Sequence, residues 1–174
     1  MSDPNAQSNI VLIGMPGSGK STVGVLLAKQ ATLAFTDTDL IIQASRGRSL
    51  QDIVDGDGYE ILRQIEEQAL LSVNVSNHVI ATGGSAVYSA PAMAHLKSQG
   101  LVVFLDVSLA TVERRIGNFS LRGISKRKDQ SLAELFDERH ELYLRYADVV
   151  IRGDDLSQEQ TCEQILKAAE LASG

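Results

Sequence analysis

The chain has 174 residues, of which 44% are hydrophobic and 22% charged, a composition typical of one globular domain and not of a disordered or fibrous protein. Its formal net charge of −6 argues against a broad nucleic-acid-binding surface, which needs clustered Lys and Arg. One cysteine excludes an intramolecular disulfide, and the absence of a long apolar run or a signal-peptide core predicts a cytoplasmic protein that does not bind membranes.

Strands and helices alternate along the sequence. After a lead-in at 1–8 that we expect to be disordered, the apolar run Ile10 to Ile13 predicts a strand buried on both faces of a parallel sheet. Further strands are predicted at 34–37, 79–82, 101–105 and 149–151. Helices are predicted from about 23, at 40–44, at 50–75 with a break at 56–58, and at 110–116, 132–146 and 158–172. This alternation predicts a single α/β domain over 1–174, with its ligand outside the carboxyl ends of the strands. The polar segment at about 117–131 is expected to form a lid.

A phosphate-binding motif follows the first predicted strand. Residues 14–21 read Gly-Met-Pro-Gly-Ser-Gly-Lys-Ser, which fits G-x-x-x-x-G-K-[ST] between a strand and a helix, the context that makes the motif specific. Lys20 can reach the β- and γ-phosphates of a nucleotide, and the Ser21 hydroxyl can ligate Mg²⁺. The predicted ATP-binding residues of this segment are Gly17, Ser18, Gly19, Lys20, Ser21 and Thr22.

Charged side chains after the second and third predicted strands are candidates for an acceptor site. Asp37 and Asp39 can point the same way if the strand extends that far, one holding water around Mg²⁺ and the other orienting or deprotonating a hydroxyl. Helix capping is an equally favoured interpretation of this pair. Arg63 and Glu66 share a helix face, and they and Arg139 would, taken singly, be interpreted as solvent-exposed.

The ordered set of motifs resembles the shikimate kinases, small P-loop kinases built like nucleoside monophosphate kinases. The resemblance runs from about Asn9 to Ala168. It is carried by the phosphate-binding loop, Asp-Thr-Asp-Leu-Ile-Ile at 37–42, Leu-Arg-Gln-Ile-Glu at 62–66, Ala-Thr-Gly-Gly at 81–84, Arg122, Arg139 with Leu-Tyr at 142–143, and Ala-Asp at 147–148. It implies a three-layer P-loop fold with a five-stranded parallel sheet in the order 2-3-1-4-5 and a mobile lid. It also implies an enzyme that uses ATP and Mg²⁺ to phosphorylate the shikimate 3-hydroxyl in aromatic amino-acid (chorismate) biosynthesis. We expect the protein to be a monomer.

The resemblance implies roles for individual acceptor-site residues. Asp39 would bind the acceptor hydroxyls, nearest the reacting one, and Asp37 would help to hold Mg²⁺ through water. Arg63 and Arg139 would grip the carboxylate of the acceptor, and the backbone N–H of Gly84 would meet the acceptor.

Further roles concern the nucleotide and the transferring phosphate. Arg115 would stack on adenine, and Arg122 would swing over the transferring phosphate with the lid. Lys20, Asp39 and Arg122 would form the catalytic set, while Glu66 would orient the acceptor arginine.

Three residues depart from the pattern of the family. Ser85 stands where a third glycine is usual, Gly123 replaces the proline of the lid, and Glu141 replaces a proline in the following helix. These differences leave open a related kinase for another small hydroxy compound, such as homoserine or gluconate. A non-catalytic nucleotide-binding regulator is a separate alternative from another functional class. The intact Lys20 and Asp39 argue against the regulator.

Overall fold

The computed structural model describes residues 8–117 and 124–173, with only the main chain at 173. The strands in this part of the chain are β1 (Asn9–Ile13), β2 (Ala34–Asp37), β3 (His78–Ala81), β4 (Gly100–Asp106) and β5 (Val149–Arg152). The helices are α1 (Lys20–Ala31), α2 (Thr38–Arg46), α3 (Leu50–Asp57), α4 (Tyr59–Ser72), α5 (Ala90–Gln99), α6 (Leu109–Ile116), α7 (Leu132–Tyr146) and α8 (Gln158–Ser173), with a 3-10 helix at Ala86–Tyr88.

The strands form one parallel sheet in the order β2-β3-β1-β4-β5, so the predicted topology is confirmed. β1 lies in the centre, with Ile10 opposite Val79 of β3 and Leu101 of β4. All five residues of β1 are buried, as expected of a strand covered on both faces. The carboxyl ends of β1, β2 and β3 therefore lie side by side at one edge, where the predicted site residues follow them.

Helices cover both faces of the sheet, which confirms the three-layer arrangement. Successive side chains of a strand point to opposite faces, so Leu12 packs into one core and Ile13 into the other. The Leu12 core includes Leu27 of α1 and Ile165 of α8. The opposite core includes Leu70, Met93, Leu96, Val112, Leu135 and Tyr143, contributed by α4, α5, α6 and α7.

A smaller apolar cluster joins the three helices between β2 and β3. Ile42 of α2, Ile53 of α3 and Leu62 of α4 are all buried against one another. The predicted helical break is confirmed, because α3 ends at Asp57 and α4 begins at Tyr59. This cluster fixes the position of α2 and α4, which carry the candidate acceptor residues.

Helix α5 and the 3-10 helix before it were absent from the predicted elements. The sequence does contain a start signal for α5, because the Ser89 hydroxyl accepts a hydrogen bond from Ala92 N and Pro91 lies in the first turn. None of the described helices is long and apolar enough to traverse a membrane. The described residues do not include most of the lead-in, at 1–7, or residues 118–123 of the predicted lid. Arg122 and Gly123 are therefore not described.

Candidate active site

The phosphate-binding loop closes around the amino group of Lys20. Gly19, at φ +98°, forms the N-cap of α1 in a conformation that favours glycine. Lys20 Nζ donates hydrogen bonds to Gly14 O at 2.7 Å and Met15 O at 2.9 Å. Burial lowers the pKa of Lys20 to about 8, although the charge of Asp39 opposes the shift. The lysine is therefore held beside the loop by backbone carbonyls, and Asp39 is the carboxylate that acts most strongly on its pKa.

A cavity of about 320 Å³ opens beside the loop and α6. The predicted ATP-binding residues that border it are Gly17, Ser18, Gly19, Thr22 and Arg115. Arg115 Nη1 donates a hydrogen bond to Gly17 O at 3.1 Å, which ties α6 to the loop. Val107 and Leu156 form an apolar part of its wall. The buried Ser18 hydroxyl has no hydrogen-bond partner among the described residues. An apolar wall with an unpaired hydroxyl beside the loop suits a nucleotide.

Asp37 uses its two carboxylate oxygens for different contacts. Oδ1 accepts hydrogen bonds from Asp39 N at 3.0 Å and Leu40 N at 3.4 Å, which caps α2. Oδ2 accepts a hydrogen bond from Ser21 Oγ at 2.9 Å. Asp37 is thus both a helix cap and a partner of the motif serine. The idea that Asp37 and Asp39 share one strand is wrong, because β2 ends at Asp37 and Asp39 lies in the first turn of α2.

The Ser21–Asp37 pair suits Mg²⁺. Mg²⁺ prefers hard oxygen ligands, keeps several waters and usually takes only one or two protein groups besides nucleotide phosphates. A hydroxyl and a carboxylate oxygen 2.9 Å apart meet that requirement. Within residues 8–117 and 124–173 no group of three or more His, Cys, Asp or Glu side chains could hold a metal by itself. A Mg²⁺ ion at this pair would need further oxygen ligands, such as nucleotide phosphates and water.

A second cavity, of about 160 Å³, lies on the other side of the phosphate-binding loop. Asp39, Gly84 and Arg139 border it, together with Pro16 of the loop and Ile124. A Cβ on Gly84 would lie 2.6 Å from Arg139 Nη1 and 2.9 Å from Pro16 Cδ, so only glycine fits between them. Burial raises the pKa of Asp39, opposed by the charge of Lys20. We refer to this space as the acceptor cavity.

The two candidate acceptor arginines converge on Ser125. Arg63 donates from Nε to Ser125 Oγ at 2.8 Å and from Nη2 to Ser125 O at 3.1 Å. Arg139 donates from Nη2 to Ser125 O at 2.8 Å, and the guanidinium of Arg63 stacks 3.7 Å from the ring centroid of Tyr88. Arg139 is only 1% exposed, so interpreting it as a solvated residue is wrong, and Arg63 is half-buried.

Arg63 does not border the acceptor cavity in this structure. Its side chain borders a neighbouring cavity of about 320 Å³, together with Gln64, Glu67 and Tyr88. Three of the four predicted acceptor residues thus meet in one cavity, and Arg63 reaches the same group through its contacts with Ser125. The sequence offers no spacing signal for Tyr88 or Ser125, because both are brought to the arginines by packing of distant segments.

Glu66 is buried between the two cavities and pairs with Ser85. Ser85 Oγ donates a hydrogen bond to Glu66 Oε2, while Oε1 is buried and has no partner among the described residues. Burial, with Asp39 nearby, raises the pKa of Glu66 to about 7. Glu66 thus bonds to Ser85 in this structure, and its implied role of orienting the acceptor arginine stays a prediction. One of the three departures in sequence therefore contacts a buried carboxylate of the site.

Comparison with known proteins agrees with this geometry. The family described as shikimate kinase matches residues 16–170. The chain is 37% identical over 159 residues to shikimate kinase from Sulfurihydrogenibium sp., covering 91% of this chain and 95% of the relative. It is 36% identical over 163 residues to shikimate kinase from Rippkaea orientalis, covering 92% of this chain and 87% of the relative.

Solved structures give the same result. Shikimate kinase from Acinetobacter baumannii, in complex with shikimate, has a TM-score of 0.86 at 29% identity, covering 97% of this chain and 96% of that one. Shikimate kinase from Aquifex aeolicus has a TM-score of 0.79 at 32% identity, covering 95% and 98% of the two chains. The family profile covers most of the chain, and the fold and motif geometry agree with it. The chain therefore belongs to the shikimate kinase family.

Proposed function

We propose that this protein transfers the γ-phosphoryl group of ATP to the 3-hydroxyl of shikimate, giving shikimate 3-phosphate and ADP. The observation that carries the proposal is the acceptor cavity beside the phosphate-binding loop, which both Asp39 and Arg139 border. A hydroxyl and a carboxylate on one small molecule would match these two groups. The Acinetobacter baumannii relative, whose structure contains shikimate, supports this choice of acceptor.

On the nucleotide side, the residues of the chain would mainly position and neutralise charge, which is what phosphoryl transfer requires. Backbone N–H groups of the loop and Lys20 would hold the phosphates. Ser21 would ligate Mg²⁺ directly, and Asp37 would hold one of its waters. Mg²⁺ would supply charge neutralisation on the β- and γ-phosphates. Arg115 would contact the adenine at the end of the nucleotide cavity.

On the acceptor side, Asp39 would accept a hydrogen bond from the reacting hydroxyl and orient it or take its proton. Asp39 and Lys20 interact electrostatically, because the charge of each opposes the pKa shift that burial causes in the other, and this would place that hydroxyl beside the γ-phosphate. Arg139 would bind the carboxylate from within the cavity, and Gly84 would offer its N–H. Arg63 would also bind the carboxylate, after its hydrogen bonds to Ser125 are replaced by hydrogen bonds to the acceptor. The lid role of Arg122, the monomeric state and the cytoplasmic location stay predictions of the sequence.

A coupled ADP-release assay with ATP, Mg²⁺ and a panel of shikimate, homoserine and gluconate tests the proposal. Saturable turnover with shikimate, at a KM within the usual range of about 1 μM to 1 mM, is the expected result. Turnover with homoserine or gluconate but not shikimate would keep the kinase chemistry and reject the acceptor. Absence of acceptor-dependent ADP release across the panel would favour a non-catalytic nucleotide-binding protein.

A further inference from the structure

Ser85 contacts the site through a hydroxyl that the family pattern does not contain. Its Oγ donates a hydrogen bond to Glu66 Oε2, and both residues are buried, at 8% and 4% exposed. Both also border the acceptor cavity and the neighbouring cavity of Arg63 and Tyr88. The Ser85–Glu66 pair is therefore the partition between these two spaces.

The bond from Ser85 determines where the second oxygen of Glu66 lies. If Gly83 carried a Cβ atom, that atom would lie 2.5 Å from Glu66 Oε1 and 2.6 Å from Asp39 Oδ1. Both carboxylate oxygens therefore lie close to Gly83. Glu66 Oε1 is buried and has no hydrogen-bond partner among the described residues. One carboxylate oxygen is thus anchored by Ser85, and the other is left beside the carboxylate of Asp39.

We propose that Ser85 is a positioning residue of the acceptor site, which holds Glu66 ionised and oriented beside Asp39. The inference rests on the proposed kinase function, in which Asp39 binds the reacting hydroxyl. An ionised Glu66 leaves Asp39 Oδ1 free to accept that hydroxyl. A protonated Glu66 would instead donate its proton in a hydrogen bond to Asp39 Oδ1 and occupy the oxygen that the acceptor needs.

The charges around Glu66 agree with this role. Asp39 faces it from α2, Lys20 from α1 and Arg139 from α7, while Ser85 approaches from the loop after β3. Burial and Asp39 raise the pKa of Glu66 to about 7, whereas the hydrogen bond from Ser85 and the two cations lower it. Because a donor to the carboxylate favours the ionised form, loss of the Ser85 hydroxyl must raise the pKa of Glu66 further.

The experiment is a pH profile of kcat/KM for shikimate, between about pH 5.5 and 9, for the wild-type protein and four variants. The wild-type protein should lose activity as the pH falls through about 7. Ser85→Ala should move this acidic limb upward by about one pH unit, the size expected for one hydrogen bond to a charged group. Activity near pH 9 should recover toward the wild-type value. Glu66→Gln should remove the limb near pH 7, and adding Ser85→Ala to Glu66→Gln should cause no further shift.

Ser89→Ala is the matched control, because Ser89 donates a hydrogen bond to Glu67, the next residue of α4, away from Asp39. Its acidic limb should coincide with that of the wild-type protein. If Ser85→Ala instead lowers kcat/KM by the same factor at every pH, or shifts the limb equally in the Glu66→Gln background, the positioning role is overturned. Failure of the wild-type protein to phosphorylate shikimate in the same assay would reject the proposed function itself, which separates the two results.

Discussion

Arg63 and Arg139 donate hydrogen bonds to the same oxygen, the main-chain carbonyl of Ser125, at 3.1 Å and 2.8 Å. A carbonyl oxygen shared by two guanidinium groups resembles the environment that they would offer to one oxygen of a carboxylate. Ser125 lies in the described end of the predicted lid and is buried. This part of the predicted lid and the acceptor carboxylate would therefore draw on the same two arginine donors.

Arg63→Ala should weaken binding of the acceptor much more than binding of ATP. Arg63 contacts Ser125 and Tyr88 at the acceptor side, and it does not border the nucleotide cavity. Loss of a charged hydrogen-bond donor costs about 1.5–3 kcal/mol, so we expect the KM for shikimate to rise by about tenfold or more. Steady-state kinetics with each substrate varied in turn measure both KM values. Arg48→Ala, which removes an exposed ion pair with Asp57, is the control and should change neither. An equal rise in both KM values would contradict the assignment.

Asp39→Asn should nearly abolish turnover while leaving ATP binding in place. The amide keeps the shape of the side chain but cannot take a proton from the hydroxyl, and it also removes the negative charge that acts most strongly on Lys20. Turnover is measured by ADP release and nucleotide affinity by calorimetry. Asp52→Asn, in the first turn of α3, is a control for loss of an acidic residue near a helix start. If the turnover of Asp39→Asn is close to that of Asp52→Asn, then Asp39 does not take part in catalysis.

Two substitutions of Asp37 should separate its two contacts. Asparagine caps helices as well as aspartate does, so Asp37→Asn should retain stability, but its lower charge should raise the Mg²⁺ concentration needed for half-maximal turnover. Asp37→Ala should raise this concentration as well and should also lose about 1 kcal/mol of unfolding free energy, because Asp39 N and Leu40 N lose their acceptor. Urea unfolding and Mg²⁺ titrations of activity measure the two effects. An unchanged Mg²⁺ requirement in both variants would exclude Asp37 from the metal site.

Glu66→Gln should stabilise the fold at neutral and higher pH. The pKa of Glu66 is raised from 4.5 to about 7, so the folded protein holds this proton more tightly than the unfolded chain does. The wild-type protein must therefore lose stability as the pH rises from about 4.5 to 7, by up to about 3 kcal/mol, and the neutral variant does not.

Urea unfolding at several pH values measures this difference. The free energy of unfolding of Glu66→Gln should equal that of the wild-type protein below pH 4.5 and should exceed it most above pH 7. Glu60→Gln, exposed on the same helix, is the matched control and should show little change at any pH. A gain for Glu66→Gln that is the same at low and high pH would mean that ionisation of Glu66 is not its source.

The fold was largely predictable because its signals are local. The apolar run of β1 and the glycine-rich motif after it define the centre of the sheet and the start of α1, and the resemblance supplied the strand order. Helix α5 was missed although Ser89 and Pro91 mark its start. Its buried residues include Met93 and Leu96.

The site was less predictable because its contacts join distant segments. Arg139 is a charged residue in a polar stretch of sequence, yet Ser125, Tyr88 and Gly84 enclose it. Such burial depends on the packing of α7 against the loop after β3 and leaves no mark in residue spacing. The sequence does mark Ser85 as a departure, but only the structure connects its hydroxyl to Glu66.

The most direct test of the account is to identify the product. The protein is incubated with ATP, Mg²⁺ and shikimate, and the product is isolated and examined by mass spectrometry and by ³¹P–¹H correlation NMR. The account predicts a single phosphate, attached at the 3-hydroxyl, formed in step with ADP. ADP formed with inorganic phosphate and unmodified shikimate, or a phosphate on another hydroxyl, would contradict the placement of the acceptor between Asp39 and Arg139.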